Sequence, residues 1–238
     1  MKPRLKCKPS AVLVLSLLLA GCSMLRKGNS NTSSEGIGKP PGSTRTTAFK
    51  PTDDARKDLG DALRKLKTAY PYRLTEISSA TMNGQRAMPE NQRVVDFAAA
   101  DRSHLKWTGG TGSDLEEITI GEKQYWYSDG KWTESAGKSA AERARMGTKM
   151  EELLASAVKE VQSVGAETVN GASCFAYTYT MEINTSGQNY TGTGKAWVSA
   201  ADGLVHQNDS EFKVGGYTQK SHIVYEYNVD FKVEKPVP

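Results

Sequence analysis

The sequence predicts an α+β domain built on one large, curved antiparallel sheet. Three observations lead there. Eleven short segments read as strands and only two as helices. Turn signals, several of them Asn-Gly or Asp-Gly, separate successive strands and favour antiparallel hairpins. Residues 175–183 and 222–233 alternate apolar and polar side chains, as strands with one covered face must. The two amphipathic helices are the elements available to cover that face.

Taken in order, Asp53–Ala69 reads as the first helix. Thr52 is its expected N-cap, Asp53 and Asp54 suit the positive helix start, and Ala55, Leu59, Ala62, Leu63 and Leu66 repeat at helical spacing. Tyr70-Pro71 ends it. Strands are expected at 72–80, 93–99, 102–108, 114–120, 123–128 and 131–134, punctuated by Asn83-Gly84, Gly109-Gly110, Gly121-Glu122 and Asp129-Gly130. A second helix is expected from Ser139, which has capping-box spacing to Glu142. Its stripe would be Met146, Met150, Leu153, Leu154, Ala157, Val158, Val161 and Val164, with Gly165 as the stop. Strands then follow at 166–170, 172–183, 190–199, 203–213 and 216–234, the first two joined at Asn170-Gly171. Phe175, Tyr177, Tyr179, Met181 and Ile183 share one face. Ile223, Tyr225, Tyr227, Val229, Phe231 and Val233 share another.

Ahead of this domain, Lys2, Arg4, Lys6 and Lys8 precede an apolar run from Ala11 to Leu19. That run is too short to span a bilayer, which needs about 20 residues, but suits a secretory leader. It ends in Leu19-Ala20-Gly21-Cys22, which resembles the lipobox of bacterial lipoproteins. The resemblance implies cleavage before Cys22, covalent lipid on its thiol and attachment of the mature protein to a membrane. Ser23 in place of Asp implies, by the enteric sorting rule, an outer-membrane location facing the periplasm. Residues 1–21 are therefore read as the leader, 22–51 as the lipidated cysteine and a Ser/Thr/Gly/Pro-rich tether, and 52–238 as the domain. A tether of this length spans about 30 Å as a flexible coil.

The leader accounts for all the net charge. The whole chain carries 31 Lys+Arg and 27 Asp+Glu, and residues 1–21 hold four bases and no acid. A neutral mature chain offers no basic face for a nucleic acid. Cys174 has no partner for an intramolecular disulfide once Cys7 and Cys22 are spoken for, and reads as a small core residue. His104, His206 and His222 have no metal-ligand spacing. Glu116-Glu117 point to opposite faces of a strand. No nucleophile elbow or phosphate loop occurs, and Gly130-Lys131-Trp132 lies too far along the chain for the lipocalin pattern it matches. No cofactor and no enzymatic activity are expected.

Three C-terminal stretches carry a family resemblance: Val169-Asn170-Gly171 with Tyr177-Thr178-Tyr179, Lys195-Ala196-Trp197-Val198-Ser199 with Asp202-Gly203-Leu204, and Tyr225-Glu226-Tyr227-Asn228. With the order of elements over 55–234, they resemble the periplasmic lipoprotein carriers and receptors of the LolA/LolB type and the mycobacterial lipid-carrying lipoproteins. The resemblance implies a single-domain, curved antiparallel half-barrel of about eleven strands with helices covering the concave face. It also implies a lipid or lipoprotein acyl chain bound noncovalently between them. Its cavity lining would then include Trp126, Phe175, Tyr177, Tyr179, Met181, Trp197, Ile223, Tyr225 and Tyr227, and Trp107 is a further aromatic of the same kind. The alternative is a structural or interaction lipoprotein with a filled core that docks another envelope protein.

Overall fold

The computed structural model describes residues 48–109, 114–143, 157–185 and 188–236. Cys22, the leader, the tether up to residue 47 and the stripe Met146 to Leu154 lie outside the described residues.

The chain enters through Phe49, whose N–H donates to the Ala200 carbonyl (2.8 Å) and whose ring meets Phe175 edge-on. Helix α1 (Ala55–Lys65) follows and tightens into a 3-10 turn at Leu66–Thr68. Its cap is Asp54, not Thr52: the Asp54 carboxylate accepts the Lys57 N–H at 2.9 Å. Thr52 instead serves Asp58, which accepts the Thr52 N–H and hydroxyl, both at 2.8 Å, and the Tyr177 hydroxyl at 3.3 Å. Leu59, Ala62 and Leu66 are buried beside Asp58 on the same side of the helix. Asp58 thus ties the incoming chain, the helix and the sheet together. Asp58→Ala strands three donors, one of them the buried Tyr177 hydroxyl. Hydrogen bonds to a charged group contribute about 1.5–3 kcal/mol each, so a loss of about 3 kcal/mol is expected in urea denaturation. Asp58→Asn should lose less.

Eleven strands form one sheet: β1 (Tyr72–Met82), β2 (Gln85–Ala99), β3 (Arg102–Gly109), β4 (Leu115–Ile120), β5 (Lys123–Ser128), β6 (Lys131–Ala136), β7 (Val158–Val169), β8 (Ala172–Thr185), β9 (Gln188–Ser199), β10 (Val205–Val214) and β11 (Tyr217–Tyr227). The order across the sheet is β6-β5-β4-β3-β2-β1-β11-β10-β9-β8-β7, antiparallel throughout. The first and last strands therefore lie side by side in the middle, while β6 and β7 form open edges. The sheet is curved and unclosed. Asn83-Gly84, Asp129-Gly130 and Asn170-Gly171 all turn with positive φ at both residues, as two-residue hairpins require.

Three expectations are corrected. Val158, Val161 and Val164 are not a helical stripe: helix is assigned at residues 140–143 and 157, and β7 begins at Val158. The Ser139–Glu142 capping box does form, with the Glu142 N–H on Ser139 Oγ (3.2 Å) and the Ser139 N–H on Glu142 (2.8 Å). β2 starts at Gln85 and not 93, so the β1–β2 hairpin is long and carries two register shifts. The last strand stops at Tyr227, where Asn228 turns at φ 57.

Residues 229–236 leave the sheet and fold over its other face. Val233 packs with Ile118 and Tyr125, and Phe231 joins that cluster and meets the Arg73 guanidinium. Both faces of the sheet are therefore covered in part. α1 lies on one, over the main apolar cluster, and the C-terminal segment on the other, over β4 and β5.

Candidate functional site: the helix-bearing face of the sheet

Cross-strand partners place side chains on a common face, so the registers sort the predicted lining residues. Phe175, Tyr177, Tyr179 and Met181 project from β8 toward α1, as the Tyr177–Asp58 contact shows. Ile223 and Tyr225 share their cluster, and Tyr227 packs against it. The ladder Tyr225–Leu74–Val95–Leu105–Glu117–Trp126 puts Trp126 on the same face, far along the sheet toward the β6 edge. Trp197 is not with them. It pairs with Ala176, the neighbour of Tyr177 that points the other way.

On that opposite face Trp197 clusters with Cys174 and Ala176. Its indole N–H donates to Glu167 (2.7 Å), and the Lys195 ammonium sits 4.8 Å from its ring centre while pairing with the same carboxylate at 2.7 Å. These hydrogen bonds, Lys195 first and Trp197 second, hold the Glu167 carboxyl below its ordinary value of 4.5. A lowered carboxyl adds stability above its unfolded pKa and loses it as pH falls through the folded one. The expected result is that Glu167→Gln flattens part of the acid limb of the stability–pH curve below about pH 4.5 and changes nothing in its shape from pH 6 to 8. Cys174 is fully buried, and burial pushes its thiol up, so it is inert.

Two regions make up the helix-bearing face. Near α1 it is aromatic and dense. Tyr72 stacks on Tyr70 and Phe97 (ring centres 5.6 and 4.8 Å), Tyr227 lies 6.0 Å away, and the Tyr227 hydroxyl donates to the Val205 carbonyl. Burial, then the Asp58 carboxylate, pushes the Tyr177 phenol up to about 12. Burial pushes Tyr225 and Tyr227 up as well.

Across β8, β9 and β10 the face is thin. Tyr179 lies across Gly194, where a Cβ would stand 2.2 Å from its ring, and its hydroxyl receives the Asn208 amide N–H at 2.9 Å. Phe212 lies across Gly192 in the same way, 2.7 Å from the position of a Cβ. Glycine is needed at both places because rings occupy the space a side chain would take.

A polar seam crosses the middle. Arg93 pairs with Glu76 at 2.6 Å, and the Ser221 hydroxyl donates to the same carboxylate at 2.6 Å. Beside them Ser78 and the Trp107 indole donate to the Asn91 side-chain oxygen at 2.9 and 3.1 Å. The side chains of Glu76 and Arg93 are 2% and 9% exposed, so this is a buried charge pair. Sequence reasoning flagged Trp107 but missed Glu76 and Arg93. The available signal was a charge at an even position of β1, in line with Tyr72, Leu74 and Ala80.

Among the described residues no group of three or more His, Cys, Asp or Glu is placed to hold a metal ion. What the face can do chemically is bury apolar matter against rings and orient a polar group at the seam. Two cavities, of about 710 and 420 Å³, open on the opposite face.

No family model matches the chain, and no curated protein matches it. Among solved structures it is similar to the lipoprotein LppX of Mycobacterium tuberculosis, at 12% identity over 75% of this chain and 97% of that chain, with a TM-score of 0.48. It is similar to LprF from Mycobacterium bovis, at 9% identity over 80% of this chain and 100% of that chain, with a TM-score of 0.48. A LolA superfamily protein from Nitrosomonas europaea aligns at 9% identity over 76% of this chain and 97% of that chain, with a TM-score of 0.35.

Proposed function

We propose that this protein is a bacterial envelope lipoprotein, held to the outer membrane by lipid on Cys22, that binds a lipid or other apolar ligand noncovalently on the helix-bearing face of its sheet. Residues 1–21 act as leader, 22–51 as anchor and tether, and 52–238 as the binding domain. The observation that carries this reading is the thin aromatic floor. Tyr179 and Phe212 lie down over Gly194 and Gly192, on an open sheet whose edges do not close into a filled barrel. Both rings are 5% exposed, so the floor is already covered, and the ligand would take the place of part of that cover, at about 0.8 kcal/mol per CH₂ removed from water.

The test is to extract the full-length protein from bacterial membranes in detergent, purify it, and analyse its organic extract by mass spectrometry. A stoichiometric lipid is expected. Cys22→Ser should move the protein to the soluble fraction with that ligand still bound. Purified protein without any bound lipid overturns the reading. A second reading, a scaffold that docks an envelope protein, is favoured by the density near α1, where Leu74, Tyr177, Val198 and Val205 are all 0% exposed. It predicts no lipid and one protein partner trapped by crosslinking in cells.

A further inference from the structure

The face of the sheet away from α1 carries a groove of about 710 Å³ that runs across the strands. Four acids stand along it, Glu160 on β7, Asp209 and Glu211 on β10 and Glu90 on β2, against two lysines, Lys195 on β9 and Lys220 on β11. Lys195 is held at 2.7 Å by Glu167, which is not part of the lining, and Lys220 shares Glu211 with Lys213 at 3.4 and 2.8 Å. Glu90 and Glu160 have no ion-pair partner among the described residues. The groove is therefore net negative. Between its charges it presents Ile77, which is 37% exposed, and the methyl groups of Thr178, Thr180 and Thr193.

A positive segment lies in the same chain. Residues 22–47 hold four bases, Arg26, Lys27, Lys39 and Arg45, and one acid, Glu35. The chain after the leader is neutral, so residues 48–238 carry 23 bases against 26 acids. The neutrality is made of a basic segment joined to an acidic domain.

We propose that residues 37–47 dock in this groove, with Lys39 and Arg45 on its acids and Ile37 on its apolar patches. The chain enters the domain within reach of it. The Phe49 N–H bonds the Ala200 carbonyl, and Ala200 is five residues, about 17 Å, from Lys195. Lys39 stands ten residues before Phe49, about 33 Å when extended, enough to turn round the β9–β10 end of the sheet and meet the groove. The spacing also fits. Glu160, the Asp209/Glu211 pair and Glu90 are each three strands apart, about 14 Å. Lys39 and Arg45 stand up to about 20 Å apart, so two of these acidic positions are served at once. Pro40 and Pro41 limit the backbone freedom that docking must remove. A linked segment meets its site at an effective concentration of order millimolar, so ion pairs too weak to hold a separate peptide suffice.

The docking depends neither on the apolar site nor on lipid at Cys22. With Cys22 as the anchor proposed above, it leaves residues 22–36 as the free tether and shortens its typical span from about 30 Å to about 20 Å. The groove then sets how far the domain stands from the membrane.

The experiment places the photocrosslinker benzoylphenylalanine at Gly38 of the full-length protein, irradiates bacterial membranes, and maps the products by peptide mass spectrometry. Intrachain links from residue 38 to the β8–β10 peptides that carry Thr178, Thr193 and Asp209 are expected. Lys39→Glu/Arg45→Glu should cut their yield at least fivefold, as should 1 M salt, which screens exposed charges. Adding Glu90→Lys and Glu160→Lys to the reversed segment should restore at least half of it. Links scattered over the domain, links confined to the α1 face, a yield indifferent to charge reversal, or no rescue by the swap each overturns the proposal. So do links between two copies, which give the groove to a second molecule, and links to another protein, which give it to an external partner. The Cys22→Ser fractionation reports separately on the anchor.

Discussion

Arg93→Met is expected to destabilise the protein by about 3–5 kcal/mol, the range for removing one partner of a buried ion pair. Glu76 would keep the Ser221 hydroxyl but lose its counter-charge inside a face where its side chain is 2% exposed. The cost comes from the orphaned charge and not from the attraction itself, because two desolvated charges and their mutual pull nearly cancel. The double variant Glu76→Gln/Arg93→Met should therefore recover most of the loss, since an amide can still accept from Ser221 and no charge remains. Urea denaturation of the two single variants and the double one closes the cycle. An exposed pair contributes about 1 kcal/mol or less. An Arg93→Met loss in that range would falsify the assignment of the seam as buried, as would a double variant no better than the single one.

That seam also marks where sequence reasoning stopped. Glu76 and Arg93 become neighbours only through the register of β1 on β2, which the register shifts after Ser78 interrupt. A strand that begins at Gln85 cannot be aligned from one read as beginning at 93. The β8 face from Phe175 to Ile183 was legible because a long strand with one buried side cannot slip by one residue without exposing the whole set. β7 was misread for a reason visible in its geometry. A bulge between Val158 and Glu160 adds a residue, so Val158 and Val161 face the same side at a spacing of three, a helical interval produced by a strand.

Val229, Phe231 and Val233 show the complementary limit. Their alternation reports an extended chain with one covered side, and it says nothing about whether that chain is paired. Asn228 turns the segment off the sheet and the same periodicity is used on the other face. Trp197 was misplaced because its strand carries small residues, Gly192, Gly194 and Ala196, on the side that faces α1. An apolar residue marks a face only where its neighbours two positions away agree with it.

Gly194→Ala is expected to destabilise by about 3 kcal/mol and to reduce the lipid that co-purifies. The new methyl group would stand 2.2 Å from the Tyr179 ring, well inside contact distance, and nothing else about the substitution is unfavourable. Alanine fits extended backbone without strain, so the whole effect runs through Tyr179. That ring is 5% exposed and tied to Asn208, so it must either compress its neighbours, at about 1–3 kcal/mol, or lift off the sheet and break a buried hydrogen bond, at about 1–3 kcal/mol more. Lifting the ring also drives it into whatever covers β9, the place that the proposed ligand would take. Tyr179→Leu in the Gly194→Ala background removes the obstacle, and the double variant should be at least about 1 kcal/mol more stable than the sum of the single changes predicts, as coupled neighbours are. Denaturation measures that coupling, and mass spectrometry of the extracts measures ligand content. Additive losses would mean that the ring does not lie on Gly194. Lost stability with undiminished lipid would place the ligand away from β8–β10, and the thin floor could no longer support an apolar site.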